Sequence, residues 1–271
     1  MSYETYYNLR EQPFSNTPDP RFFFEIPQHA DVITRLTYAI NTMKGLAVLV
    51  GDVGTGKTTL ARRLLESLDD EQYESALLVI IHSAITPEWF LRKIALQMGM
   101  ADVREEKVAL LSQIFERLLE IHHSGKKAVV LIDEANMLHQ RAILEELRGF
   151  LNLEIPGSKL ITFILFGLPE LEENLAADRP LAQRVALTCR LKSFTPENTT
   201  AYVRHRMKVA GGTADLFSDA VLERVHQASG GIPRCINTMC DNLLLEGFLQ
   251  KKSQIDLQLV ADVLRDLGMP Q

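Results

Sequence analysis

The sequence predicts an α/β protein in which a parallel sheet flanked by helices is followed by a separate all-helical region. Stretches that are apolar at nearly every position alternate with amphipathic helical stretches, and only helical stretches follow Pro196. Strands that are apolar throughout belong in a sheet covered on both faces. Their alternation with helices is typical of an open, doubly wound domain. Five strands are predicted, at 46–50, 76–81, 128–132, 160–166 and 186–191.

The chain divides into three predicted regions. Residues 1–30 are loop-like and rich in proline and aromatic residues, which predicts a segment packed on the α/β core rather than a disordered one. Residues 31–191 form the α/β domain. Residues 192–271 contain four helical stretches separated by glycine, proline or N-cap residues, which predicts a small helical bundle.

Composition excludes several classes of protein. The 271 residues are 46% hydrophobic, enough for a buried core, but no apolar run approaches the roughly 20 residues that span a bilayer. The N-terminus lacks the features of a signal peptide, and three cysteines are too few for a disulfide framework, so we expect a cytoplasmic protein. A net charge of −6 disfavours nucleic acid as a partner, although a basic face formed on folding stays open.

The first strand leads directly into "GDVGTGKT" at 51–58, a full match to the phosphate-binding P-loop G-x-x-x-x-G-K-[ST]. Its glycines let backbone N–H groups and a helix N-terminus approach a phosphate. Lys57 would neutralise the β- and γ-phosphates of ATP, and Thr58 would ligate Mg²⁺. The predicted nucleotide-binding residues of the loop are Gly51, Asp52, Val53, Gly54, Thr55, Gly56, Lys57, Thr58 and Thr59.

The third strand ends in two carboxylates, Asp133 and Glu134. A residue at the carboxyl end of a strand faces the crevice in which such sheets bind ligands. Asp133 is therefore predicted to hold Mg²⁺, directly or through water. Glu134 is predicted to polarise the attacking water, as a general base must. Together with the P-loop, the pair predicts an ATPase.

Residues 230–234 read "GGIPR" at the start of a predicted helix. Taken alone, Arg234 has two interpretations: a solvated charge on the first turn of a helix, or a group that contacts the ligand. A P-loop domain followed by a helical lid with an arginine in this place resembles the AAA+ ATPases. The resemblance implies that Arg234 is the arginine called sensor 2, which reaches the phosphates of the nucleotide.

Four longer stretches carry a narrower resemblance: "YYNLREQPFSNTPDPRFFF", "FGLPEL", "RPLAQRV" and "GGIPRCINTMCDNLLL". They resemble one AAA+ subgroup, the ExeA/GspA-type secretion ATPases, which are akin to TniB/TnsC-type transposition ATPases. The resemblance implies a nucleotide-driven switch in assembly of a secretion, pilus or exopolysaccharide envelope system, with a DNA-associated regulator as the alternative. In the secretion ATPase, a membrane span and a periplasmic domain follow the ATPase unit. The present sequence, up to Gln271, contains neither of them. We therefore expect a stand-alone relative or a soluble fragment.

The resemblance also places an arginine finger, which acts on the neighbouring subunit's nucleotide, within residues 178–191. Arg184 matches best and Arg179 second, and a plain surface arginine is the alternative. A finger implies a homo-oligomer, either a ring or a filament. Two positions depart from the pattern, since Leu168 replaces a polar sensor residue and His82 an asparagine. Both predict slow or partner-gated hydrolysis, and a scaffold that binds ATP with little turnover stays open.

Overall fold

The computed structural model describes residues 2–82 and 84–269 of the chain. Within these ranges, no helix is both long and apolar enough to cross a membrane. The cysteines are free thiols, and Cys189 and Cys240 are buried.

The described residues form two compact units, each with its own hydrophobic core. The helical unit contains the residues up to Ile26, Gly54–Gly56 and the residues from Lys192 onward. The sheet unit contains Pro27–Val53 and Lys57–Leu191. The tip of the predicted P-loop therefore belongs to the helical unit, while the rest of the loop belongs to the sheet unit.

The sheet unit is built on five parallel strands, as predicted, together with a short antiparallel hairpin that was not predicted. In chain order the strands are β1 Leu46–Gly51, β2 Tyr73–Val79, β3 Lys127–Asp133, β4 Glu154–Ile155, β5 Ser158–Lys159, β6 Ile161–Gly167 and β7 Leu187–Leu191. The order across the sheet is β2-β3-β6-β1-β7, and β4 pairs with β5 in the hairpin. Every residue of β1 and β6 is buried, because helices cover both faces of the sheet.

Helices connect the strands of the sheet unit and supply the rest of its core. Their inward-facing leucine, isoleucine and phenylalanine side chains pack with those of the strands in one continuous cluster. The helices are α2 Pro27–Asn41, α3 Lys57–Glu66, α4 Pro87–Gln97, α5 Lys107–His123, α6 Arg141–Phe150, α7 Glu170–Ala177 and α8 Arg179–Ala182, with a 3-10 turn at Ala135–Met137.

The helical unit packs four long helices and a short N-terminal one, α1. Side chains cap three of the long helices: Thr195 accepts from Asn198 N–H, Ser218 from Val221 N–H, and Asp256 from Leu259 N–H. The helices are α1 Tyr3–Tyr6, α9 Pro196–Val209, α10 Asp219–Ser229, α11 Pro233–Leu249 and α12 Leu257–Asp266, with 3-10 turns at Pro20–Phe22 and Ala214–Leu216.

The N-terminal segment packs in a different hydrophobic core from the one predicted. Phe14 and Phe22 are buried in the core of the helical unit, whereas packing on the α/β core was expected. The physical reason is the buried guanidinium of Arg206, which donates to the carbonyl oxygens of Pro13 (2.5 Å) and Ser15 (2.9 Å). An irregular segment can be buried only where such donors satisfy its backbone carbonyls. The Arg206 guanidinium also lies 4.9 Å from the Phe22 ring.

Candidate nucleotide-binding site

The sheet brings its three central strands to a common carboxyl edge. Strand β6 lies between β1 and β3, with Val50 opposite Gly167 and Leu165 opposite Ile132. Because the strands are parallel, the segments that follow them leave from this same edge. The predicted P-loop after β1 and the carboxylates Asp133 and Glu134 at the end of β3 are therefore brought together at one edge of the sheet unit.

Lys57 lies at the start of α3 and turns its side chain back over the loop. Its ammonium group donates to the carbonyl oxygens of Gly51 (2.8 Å) and Asp52 (3.0 Å), and the residue is only 7% exposed. A buried ammonium requires such acceptors or an anion. The two glycines further along the loop have φ of +81° (Gly54) and +103° (Gly56), a region that favours glycine.

The remaining loop residues divide between exposed and enclosed positions. Asp52 and Val53 are exposed, while the backbone turns inward at Thr55, which is 2% exposed. Thr58 and Thr59 are half-buried on the first turn of α3. A helix N-terminus preceded by a loop of this shape presents its free N–H groups to an anion.

Asp133 and Glu134 differ sharply in exposure. Asp133 is 1% exposed, and its Oδ1 accepts from the N–H of Glu134 at 3.0 Å. Glu134 is half-buried and adopts the left-handed conformation, with φ 56° and ψ 34°. This conformation is uncommon for a residue with a side chain and is found where the surroundings hold it in place. The carboxylate of Asp133 and the hydroxyl of Thr58 are oxygen ligands of the kind that Mg²⁺ prefers, so the two residues fit that ion.

Asn136, which is part of no predicted site, connects the turn after β3 to the end of β6. The Oδ1 atom of Asn136 accepts from the backbone N–H of Leu168 at 3.1 Å, just past the end of β6. Leu168 itself is half-buried and apolar. The exposed ring of His82 instead lies edge-on to Trp89, at 5.6 Å between centroids. In the sequence, Asn136 follows the two carboxylates by two residues, but nothing in the sequence indicates its partner.

The two candidate arginine fingers lie at the opposite edge of the sheet. The N–H of Ala186 donates to the carbonyl oxygen of Leu46 at the first residue of β1, so residues just before β7 lie at the amino edge. The guanidinium of Arg184 donates to Asn152 Oδ1 and to the carbonyl oxygen of Pro180, each at 2.8 Å. A six-residue strand of about 3.3 Å per residue separates this edge from the P-loop by about 17 Å.

Arg179 is exposed at the start of α8, in the same segment as Arg184. The sheet unit thus brings Gly51, Lys57 and the two carboxylates together but brings neither arginine to them.

Arg234 lies in the helical unit beside the P-loop tip that belongs to the same unit. Its backbone N–H donates to the carbonyl oxygen of Gly54 at 3.3 Å, and its side chain is exposed. A Cβ atom at Gly54 would lie 2.9 Å from Cβ of Arg234 and 3.0 Å from Cγ2 of Ile232. Gly54 therefore has two reasons to be glycine: its positive φ and the close approach of α11.

The fold and this edge of the sheet define the class of protein. Residues 40–175 match the family described as an AAA domain, and the chain belongs to that family.

Within it, the chain is similar to General secretion pathway protein A of Aeromonas hydrophila, with 34% identity over 265 residues. This confirms the resemblance found in the motifs. The alignment covers 96% of this chain and 48% of the relative, so the chain spans about half the length of the curated protein it matches.

Solved structures agree with the fold. The Aeropyrum pernix ORC2 protein in its ADPNP–ADP complexes has a TM-score of 0.69 and 15% identity, covering 94% of this chain and 71% of that one. The Drosophila ORC bound to DNA has a TM-score of 0.71 and 13% identity, covering 98% and 65% respectively. At such identities the likeness concerns the fold alone.

Proposed function

We propose that this protein is a magnesium-dependent ATPase that hydrolyses ATP at the contact between two copies. The observation that carries the proposal is the arrangement of the sheet unit. The P-loop and the two carboxylates share the carboxyl edge, whereas Arg184 lies at the amino edge.

The carboxyl edge would bind the nucleotide and carry out the chemistry. The loop 51–56 and the N-terminus of α3 would hold the phosphates, with Lys57 compensating their charge. Thr58 and Asp133 would hold Mg²⁺, which would supply positive charge to offset that of the phosphates. Glu134, at the same edge and half-buried, would accept hydrogen bonds from the attacking water and polarise it.

Arg184 would act on the nucleotide of a neighbouring copy. It is about 17 Å along the strand direction from its own P-loop, beyond the reach of one side chain. An arginine presented in trans stabilises the charge that develops on the transferred phosphoryl group, and its supply by a second copy links hydrolysis to assembly. We propose a homo-oligomer, a ring or a filament, on this ground.

Arg234 would respond to the nucleotide from the helical unit. Its backbone hydrogen bond to Gly54 fixes the start of α11 beside the tip of the loop, and its guanidinium is exposed. A change at Gly54 on nucleotide binding would therefore reach Arg234 within the same unit.

The biological setting is proposed from the relative. The 34% identity to General secretion pathway protein A supports a nucleotide-driven switch in the assembly of an envelope secretion or pilus system. We place the protein in the cytoplasm, at the inner membrane through its partners.

Co-purification tests the nucleotide-driven switch. Envelope assembly proteins should co-purify with the Glu134→Gln variant in larger amounts in ATP than in ADP. Equal recovery in the two nucleotides would contradict a nucleotide-driven switch.

Steady-state ATP turnover measured against protein concentration tests the catalytic part, with Glu134→Gln as the blank. Turnover per copy that rises with concentration and disappears in the variant is expected. Turnover per copy that is constant at every concentration would contradict hydrolysis between copies. Turnover equal to the blank throughout would contradict hydrolysis itself and favour a scaffold that only binds the nucleotide.

A further inference from the structure

The turn that carries Glu134 is conformationally costly and needs support. Glu134 has a left-handed backbone, a conformation that is unfavourable for a residue with a side chain. Part of the support is local, since Asp133 accepts from its N–H and the N–H of Met137 donates to its carbonyl oxygen at 3.0 Å. These bonds shape the turn, but they do not fix where the turn lies relative to the rest of the edge.

Asn136 connects this turn to the neighbouring strand and to the helix after it. Its Oδ1 accepts from Leu168 N–H at 3.1 Å, and its backbone carbonyl oxygen accepts from Nδ2 of Asn174, on α7, at 3.2 Å. The β3–β6 ladder ends with Ile132 opposite Leu165. The Asn136 side chain therefore continues the connection between the two strands beyond the last ladder pair.

Close packing makes the position of the turn specific. A Cβ atom on Gly167 would lie 3.1 Å from the backbone nitrogen of Asn136, 3.2 Å from its Oδ1 and 2.8 Å from Cδ2 of Leu171. The turn thus rests directly on the backbone of the last residue of β6. Gly167 has no positive φ, so its lack of a side chain matters here for space rather than for backbone conformation.

We propose that Asn136 is a positioning residue for Glu134, acting through the hydrogen bond that its Oδ1 accepts from Leu168. In this role it fixes the left-handed turn against the end of β6 and so holds the carboxylate of Glu134 at the carboxyl edge. Leu168 contributes its backbone N–H, while its side chain has no polar group to offer. The proposal rests on the proposed ATPase activity, because Glu134 is the base there.

The hydrogen bond itself is tested without any activity, by hydrogen exchange at the Leu168 amide. Exchange should be slow in the wild type, at least tenfold faster in Asn136→Ala, and slow again in Asn136→Asp, which keeps an oxygen acceptor of the same length. Equal exchange in the wild type and Asn136→Ala would overturn the proposal. This result is independent of whether the protein turns over ATP.

The catalytic consequence is tested by separating turnover from binding. Asn136→Ala should lower kcat about tenfold and leave the Kd for ATP within about twofold, because a displaced base slows the reaction while the phosphate loop stays intact. Asn136→Asp should recover kcat to within about threefold of the wild type. Recovery should be incomplete because the added negative charge repels the carboxylates of Asp133 and Glu134. An unchanged kcat in Asn136→Ala, an equal loss of ATP affinity, or an Asp variant no better than Ala would each overturn the proposal.

Gly167→Ala provides an independent way to displace the turn, with a matched control. It should lower kcat about tenfold, because the new methyl group occupies the space of the Asn136 backbone. Gly149→Ala makes the same chemical change at an exposed position of α6, where a Cβ would meet nothing within 4 Å, and should leave kcat unchanged. Equal kcat values for the two variants would count against the role of the turn. If the wild type itself shows no turnover, the proposed function fails, and the amide exchange still decides on the hydrogen bond.

Discussion

The two edges of the sheet in this protein carry different groups and bury them to different extents. The carboxyl edge carries a loop of glycines, a buried lysine ammonium and a buried carboxylate, all held by backbone groups. The amino edge carries Arg184, whose guanidinium is held by the Asn152 side chain and a carbonyl oxygen at a partly exposed position. Both edges belong to one sheet, so their separation of about 17 Å is set by the length of β1.

One copy therefore holds both halves of the proposed site but cannot bring them together. Groups that act on the same γ-phosphate must lie within hydrogen-bonding distance of it. A second copy that docks its amino edge on the carboxyl edge of the first would complete the site. Variants of the two edges should therefore have different signatures: changes at the carboxyl edge alter binding or chemistry within a copy, and changes at the amino edge alter turnover only.

The largest effect is expected for Glu134→Gln, at the carboxyl edge. Removal of a general base lowers kcat by about a thousandfold, while the neutral isostere leaves the phosphate loop intact and ATP bound. Steady-state turnover and equilibrium ATP binding measure the two effects. Glu173→Gln, on an exposed position of α7, is the matched control and should retain wild-type turnover. Substantial turnover in Glu134→Gln would exclude Glu134 as the base.

Arg184→Ala is expected to have the next largest effect, at the amino edge. Turnover should fall by about a hundredfold or more, because arginine fingers contribute strongly to the transition state, and ATP should bind as in the wild type. Arg179→Ala, five residues earlier in the same segment, distinguishes the two candidates and should reduce turnover much less. The reverse ranking would assign the role to Arg179, and two unaffected variants would remove the amino edge from the reaction.

Gly54→Ala should weaken ATP binding as well as the fold. Its positive φ costs about 1–2 kcal/mol for a residue with a side chain, and the new Cβ would also meet Arg234 and Ile232 at 2.9 and 3.0 Å. We expect an increase of about tenfold in the Kd for ATP and a lower free energy of unfolding. Gly125→Ala is the control, since its φ of +79° matches but nothing lies within 4 Å. Gly125→Ala should lower only the free energy of unfolding and leave the Kd for ATP unchanged. If the two variants bind ATP equally well, the approach of α11 to Gly54 has no effect on the loop.

The smallest effect is expected for Asn152→Ala, which removes one of the two acceptors that hold Arg184. Turnover should fall by about fivefold, because a freed side chain spends less time in the productive position. ATP affinity should not change, as Asn152 lies at the amino edge. In the Arg184→Ala background the Asn152 change should have no further effect. Additive losses in the double variant would contradict a role of Asn152 through Arg184.

Much of this architecture could be predicted from local sequence patterns. Continuous apolar runs identify the five sheet strands, and the P-loop motif is found between a strand and a helix, as predicted. The hairpin of β4 and β5 was missed because two-residue strands are too short to show any periodicity. The contact of Asn136 with Leu168 was missed because it joins residues 32 positions apart, through a backbone N–H that no side-chain pattern encodes.

The N-terminal segment shows a second limit of prediction from sequence. Aromatic residues such as Phe14 and Phe22 indicate that a segment is buried but not which core buries it. The segment packs in the core of the helical unit, where Arg206 binds its backbone. Arginine usually lies at the surface, yet Arg206 is only 5% exposed in the structure. Its guanidinium donates to the carbonyl oxygens of Pro13 and Ser15, which lie nearly two hundred residues away along the chain.

Cooperation between the two edges is tested most directly by mixing two variants that lack different halves of the site. Glu134→Gln keeps Arg184 but has no base, and Arg184→Ala keeps its own carboxyl edge but has no finger. In an equimolar mixture, about a quarter of the head-to-tail contacts would join an intact carboxyl edge to an intact amino edge, so about a quarter of wild-type turnover should return. A mixture no more active than the two variants measured separately would contradict hydrolysis between copies.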